Sequence, residues 1–420
     1  MVRAFLATAT VETGDGAVSI VCDTGKRSAD VLKCGARLAS RLDSSRAAVV
    51  AVAAVYFLFI VARLALHGGD PSVFVLAGDR VIDPQLVPRS LTVLKDSTGY
   101  DGQFYYVLAL GPFADLHSGV GRSIDSPSYR QQRIVYPLAV WLASLGQADL
   151  APAMMILINY AALCVLAWVG ASYARFLGQH SLWGIAIPLY PGLLLALARD
   201  LAEILEVAFL LAGLLLLWRG RQLLAALLLT LAVLSRETAI VAVLGLACAT
   251  AFGPRKLAYN KGFKSYVILI PFLSLAGWQI FLTSRWGQLP FQGGSMNLGV
   301  PFNGLVGFIL DTLHLGTPRT YLWFVELCFL LLFTAGVAHA SRVTRASVAE
   351  RLIWLLYGLL ACALTRLVWV EDWAFLRVLS EFYVIGAVIL IGSGSKYRYV
   401  VFGVASALWV TLAVLAAVRL

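Results

Sequence analysis

Residues 48–66 read AVVAVAAVYFLFIVARLAL, Ala48 to Leu66, and this stretch decides the fold. It carries one charge, Arg63. As a helix rising 1.5 Å per residue it is about 28 Å long, close to the hydrocarbon thickness of a bilayer. Apolar runs of spanning or near-spanning length follow at about 150–175, 182–198, 201–218, 222–234, 237–252, 265–284, 320–340, 350–369, 375–393 and 399–418, making eleven in all. The whole chain agrees: 60% of its 420 residues are hydrophobic, 13% are charged, and mean hydropathy is +0.82. A soluble domain carries about 25% charged residues. A water-soluble multidomain enzyme and a disordered or fibrous chain are therefore excluded. The expected fold class is an all-α polytopic membrane protein of about 11 transmembrane helices.

Charge assigns the sides. With the N-terminus cytoplasmic and eleven crossings, the short cytoplasmic loops total 43 residues and hold twelve Lys or Arg; the outer segment 67–149 holds six in 83. That asymmetry follows the positive-inside rule, and it explains the net charge of +10 without nucleic acid. The run 222–252 is ambiguous, one long helix or two that break at Ser235-Arg236-Glu237. The tail 1–47 has an apolar start, residues 4 to 11, too short and poorly flanked for a signal peptide, so the first span is expected to act as an uncleaved anchor. Two modules are expected to follow, 48–252 and 253–420. The six cysteines, Cys22, Cys34, Cys164, Cys248, Cys328 and Cys362, show no CxxC or Cys/His cluster, so neither a disulfide framework nor a zinc site is read.

The acids are unevenly placed. Of 23, five lie in the tail and one, Glu350, in a cytoplasmic loop; the rest fall on the outer side or in outer span ends. Arg199, Asp200, Glu203, Glu206, Arg236, Glu237, Glu371, Asp372, Arg377 and Glu381 gather at that face. Desolvated charge is costly and turns toward a cavity, so one polar cavity opening outward is expected. Glu371 and Asp372 read as solvated at the outer interface.

The long first extracytoplasmic loop contains Tyr100-Asp101-Gly102-Gln103-Phe104-Tyr105-Tyr106. Asp101 is a fair N-cap for a short helix starting near Gln103, apolar on most sides and expected at the membrane interface. Downstream, Arg130 and Arg133 share a face if helical, ahead of a short apolar helix ending near Leu145. Each has a plain alternative: Asp101 as a cap only, the arginines snorkelling to headgroups, Tyr105 and Tyr106 as an aromatic belt.

These residues resemble the polytopic glycosyltransferases of the GT-C fold, most closely a bacterial branch carrying the Tyr-Asp-Gly-Gln-Phe-Tyr-Tyr string. The resemblance covers roughly residues 48–252. It includes Arg199-Asp200-Leu201-Ala202-Glu203, the Arg219-Gly220-Arg221 turn, and Ser235-Arg236-Glu237, where the family often has Thr-Lys-Glu. It implies a polyprenyl-phosphate sugar donor, a glycan, lipid or protein acceptor, and transfer outside the bacterial inner membrane. The chemistry then needs a base for the acceptor hydroxyl, with Asp101 as candidate, and direct displacement inverts the anomeric centre. The departing lipid phosphate suits arginine forks, from Arg130, Arg133, Arg236 or Arg377. Gln103, Tyr105, Tyr106, Asp200, Glu203, Glu237 and Glu381 are the further candidates for substrate contact. Asp200, Glu203 and Glu206 recur every third residue; binding sugar hydroxyls or pairing with Arg199 is the preferred role over a divalent cation. Arg377 and Glu381, i and i+4, have an intrahelical pair as their plain alternative. His67, His117 and His314 read as loop residues. The rival functions are a transporter or lipid flippase, which also needs a charged cavity, and a non-catalytic scaffold.

Overall fold

The computed structural model describes residues 43–114, 124–252, 262–312, 316–370 and 374–418. The tail before Asp43, with Cys22 and Cys34, lies outside these ranges, as do His117, Arg255, Lys256, Lys261, His314, Glu371 and Asp372. The described chain is helical apart from one pair of two-residue parallel strands, Ala77–Gly78 and Val93–Leu94. Ser44–Leu420 packs as one compact unit.

Among the described residues, five helices are long and apolar enough to cross a membrane: Ser45–Leu66, Ala151–Phe176, Tyr266–Trp286, Pro318–Ala340 and Tyr397–Val418. They make this a membrane-embedded helical protein. The Ser44 hydroxyl starts the first by accepting from the Ala47 N–H at 3.1 Å. Tyr266–Trp286 is the least covered and turns Phe272, Leu273 and Ile280 outward.

Of the remaining apolar runs, 201–218 is the single helix Glu203–Trp218, whereas 182–198, 350–369 and 375–393 are broken, which corrects the reading of each of these three as one continuous span. Run 182–198 is a 3₁₀ turn, Ser181–Ala186, followed by Pro191–Leu197. Pro188 and Pro191 lack an N–H and divide it. Such irregular backbone is tolerated at membrane depth where protein covers it, and Leu193 through Ala198 are fully buried. Run 222–252 is two helices, Gln222–Ser235 and Ile240–Phe252, parted at Arg236, whose backbone is extended (φ −155°, ψ 125°). Run 350–369 divides into Val348–Cys362 and Arg366–Val370 where Leu364 bridges to Leu298. Run 375–393 divides at Leu379 into Ala374–Val378 and Ser380–Ser393.

Two further expectations change. The Gly102–Leu110 helix does not lie open at an interface; Gly102 through Ala109 are buried in protein, as its apolar circumference requires. Glu350 is no loop residue. It is buried in the first turn of Val348–Cys362, closes a capping box with Ser347, and accepts from the Trp218 indole at 2.5 Å and from the Tyr173 hydroxyl.

Candidate functional site

Asp101 sits in a loop with no spare volume. Gly99 has φ +64°, which glycine adopts without a Cβ penalty. A Cβ on Gly102 would lie 2.3 Å from the Arg199 carbonyl oxygen and 2.7 Å from that of Val75. Gln103 staples the loop from inside: its amide donates to the Thr98 carbonyl at 2.8 Å and accepts from the Gly78 N–H at 3.1 Å. The string Gly99-Tyr100-Asp101-Gly102-Gln103 is thus two close-approach glycines and a staple that aim Tyr100 and Asp101. Asp101 does occupy the N-cap position of Gly102–Leu110, but its side chain makes no capping bond.

Its carboxylate instead lies between two guanidinium groups. Oδ1 accepts from Arg130 Nη1 at 2.8 Å and Oδ2 from Arg377 Nη2 at 3.0 Å. Arg130 also forks onto Asp125 at 3.0 Å twice, with its plane 3.8 Å from the Phe104 ring centroid. Arg377 makes two more bonds, to the Tyr100 hydroxyl at 2.9 Å and to Glu203 Oε1 at 2.8 Å. Glu203 Oε1 lies 4.0 Å from Arg236, and Arg236 donates to both Glu381 oxygens at 3.0 Å. The Thr238 hydroxyl adds a 2.5 Å bond to Glu381. Beside this chain, Arg133 forks onto Glu237 at 2.9 and 2.7 Å and donates to the Tyr105 and Tyr129 hydroxyls at 3.3 and 3.1 Å.

Helix breaks make the convergence possible. The turn before Glu203–Trp218, the extended residue Arg236, and the kink at Leu379 each present a charged pair at the same end of the fold. A broken helix also frees backbone groups and side-chain directions that a continuous one would commit to its own ladder.

The electrostatics follow. Burial would raise the Asp101 carboxyl, but Arg377, Arg130 and Arg133 outweigh it and hold it well below the usual carboxylate range. Burial likewise opposes the Arg133 charge, yet Glu237 and the neighbouring tyrosines hold its pKa well above the ordinary value. The Tyr105 hydroxyl is pushed up to about 12, chiefly by burial. Asp101 is thus ionised and the Tyr105 hydroxyl keeps its proton at neutral pH.

The structure gathers Asp101, Tyr105, Arg130, Arg133, Glu203, Arg236, Glu237, Arg377 and Glu381, and leaves three candidates elsewhere. Gln103 spends both ends of its amide on backbone. Tyr106 is buried, its hydroxyl 3.4 Å from the Ala148 carbonyl. Asp200 does not share the helix with Glu203. It precedes that helix in a left-handed turn, φ +49°, buried beside Asn159 and Arg63. Glu206 is buried near Glu203, Glu381 and Arg236, so Asp200 is the one of the three set apart. The every-third-residue spacing therefore does not assemble one acidic face. Among the described residues no three His, Cys, Asp or Glu side chains group to hold a metal ion. The intrahelical alternative for Arg377 and Glu381 gives way to pairing across the fold.

Three participants were not among the sequence candidates. Tyr100 lies beside two guanidinium groups, those of Arg199 and Arg377, at 5.1 and 5.0 Å from its ring centroid. Tyr129 and Thr238 look like ordinary loop residues. Outside this network, Arg63, the lone charge of the first span, is fully buried and donates to the Val73 carbonyl at 3.0 Å and to that of Ala416.

No protein-family model matches the chain, and a search of the curated proteins found no match.

Proposed function

We propose that this protein is an integral-membrane glycosyltransferase of the GT-C type. It moves a sugar from a polyprenyl-phosphate donor to a glycan, lipid or protein acceptor on the extracytoplasmic face of a bacterial inner membrane. The single observation that supports this most is Asp101, an ionised carboxylate whose two oxygens are held by arginines from distant parts of the chain, Arg130 and Arg377. The topology that goes with this reading has a cytoplasmic N-terminus and eleven crossings, several made by broken helices.

The resting network is self-neutralised. Arg130, Arg133, Arg236 and Arg377 face Asp101, Glu203, Glu237 and Glu381. A donor phosphodiester competes for the same forks, since a guanidinium holds phosphate and carboxylate with one geometry. When phosphate oxygens take over Arg130 and Arg377, Asp101 loses the cations that keep it a weak base. It then accepts the acceptor hydroxyl's proton as that oxygen bonds to the anomeric carbon. The bond from that carbon to the phosphate oxygen breaks, the electron pair leaves with the lipid phosphate, and the arginines meet the added negative charge. Attack from one side and departure from the other inverts the centre.

The test is the purified Asp101→Asn protein in vesicles, assayed against a panel of labelled polyprenyl-phosphate sugars. Transfer is expected to fall at least about 100-fold while the variant, its melting temperature lowered by the lost Arg130 and Arg377 pairs, still folds and retains the donor. Normal turnover by the variant would overturn the assignment. Donor movement across the bilayer without glycosyl transfer would favour a flippase.

A further inference from the structure

The opposite end of the molecule carries a second feature that the transferase reading does not use. A cavity of about 440 Å³ lies at the turn between Glu203–Trp218 and Gln222–Ser235, lined by Gly220, Arg221, Gln222, Lys264 and Tyr266. Arg221 and Lys264 are both exposed, and neither makes an ion pair among the described residues. The cavity lining contains no acid.

These two cations are not loose loop charges. The Gln222 side chain clasps the distant 262–264 segment from both sides: its amide donates to the Gly262 carbonyl at 3.0 Å, and its carbonyl accepts from the Lys264 N–H at 2.8 Å. Arg221 and Lys264, far apart in sequence, are thereby held at the mouth of one cavity. Gly220 turns the chain with φ +74° and, among the described residues, would meet nothing within 4 Å of a Cβ. On the helix beside the cavity, Leu223 and Leu224 are 57% and 51% exposed, on the outer surface that continues toward Leu227 and Leu231. Cations, a tyrosine and a glutamine at one level, with bare leucines running into the membrane from them, match a phosphate headgroup with acyl chains below it.

We infer that this cavity binds the phosphate of an anionic glycerophospholipid of the cytoplasmic leaflet. The site does not depend on the transferase chemistry and survives its failure; it rests on the cytoplasmic placement of the loops at 219–222 and 253–264.

The test is native mass spectrometry of the full-length protein in detergent, titrated with phosphatidylglycerol, phosphatidylcholine or inorganic phosphate. The wild type is expected to retain phosphatidylglycerol about tenfold better than phosphatidylcholine, and inorganic phosphate is expected not to displace it. The Arg221→Gln/Lys264→Gln variant should lose that preference, whereas Arg342→Gln/Lys396→Gln, which removes as much charge elsewhere on the same side, should keep it. Gln222→Ala, with all cations present, should lower the preference about threefold by unclasping the two segments. Equal loss in the control variant would show mere bulk charge and overturn the inference. So would an unchanged preference in Gln222→Ala, or displacement by inorganic phosphate, which would make this a free-phosphate site.

Discussion

Arg133 and Glu237 meet in a two-pronged ion pair at 2.9 and 2.7 Å, joining the long segment after the first helix to the break between Gln222–Ser235 and Ile240–Phe252. Both are largely buried, at 10% and 27% side-chain exposure. Removing one partner strands a charge, so Arg133→Met or Glu237→Leu alone should each cost about 3 kcal/mol or more. The double variant should cost less than either single change, because no orphan charge remains. Thermal unfolding in detergent across the double-mutant cycle measures this; additive losses would show that the pair is not coupled.

Arg377 makes separate bonds to Tyr100, Asp101 and Glu203. Lysine keeps the charge but lacks the planar fork. Arg377→Lys is therefore expected to fold and yet to weaken donor binding about tenfold or more, read as a raised KM for the lipid-linked sugar. Wild-type kinetics in this variant would mean that only the charge matters.

Asp101 has its pKa lowered from an ordinary value of 3.8, burial opposing and Arg377 and Arg130 prevailing. A lowered folded-state value stabilises the fold above the unfolded value, and that stabilisation is lost as pH falls through the folded one. The stability difference between wild type and Asp101→Asn should thus be constant above about pH 5 and shrink progressively below the ordinary 3.8. The acid limb of transfer should lie below that value in the resting enzyme and move upward in Arg377→Ala. A difference that instead shrinks on raising pH would contradict the arginine clamp.

Gly102→Ala places a Cβ 2.3 Å from the Arg199 carbonyl oxygen, a backbone atom that cannot swing aside. Overpacking of this kind costs about 1–3 kcal/mol. Because Tyr100 and Asp101 ride on the same loop, transfer should fall further than stability does. Comparing melting temperature with kcat in one preparation separates the two; a loss confined to stability would show that the loop tolerates the shift.

Much of this protein is local chemistry and was legible as such. Long apolar runs impose helices in a bilayer because unpaired backbone groups are too costly there, and charges at their ends were visible as exceptions to hydropathy. The types of residue at the site, Asp101 and a group of arginines and acids, were readable for the same reason. Their partners were not. Spacing alone offers Arg377 and Glu381 as a helical pair, yet the helix kinks at Leu379, and Arg377 goes to Asp101 and Glu203 while Glu381 goes to Arg236. Gln103 had equal reason to meet a ligand or a backbone, and only the proximity of Thr98 and Gly78 settles it. The break at Arg236 was one of two readings of 222–252, and packing decides between them; the breaks at Asp200 and Leu379 depend on burial by surrounding protein, which a linear reading does not contain. Composition and hydropathy are sums over neighbours along the chain, whereas an ion pair such as Asp101–Arg377 is chosen by which charges the packed helices leave within 3.0 Å of each other, away from water.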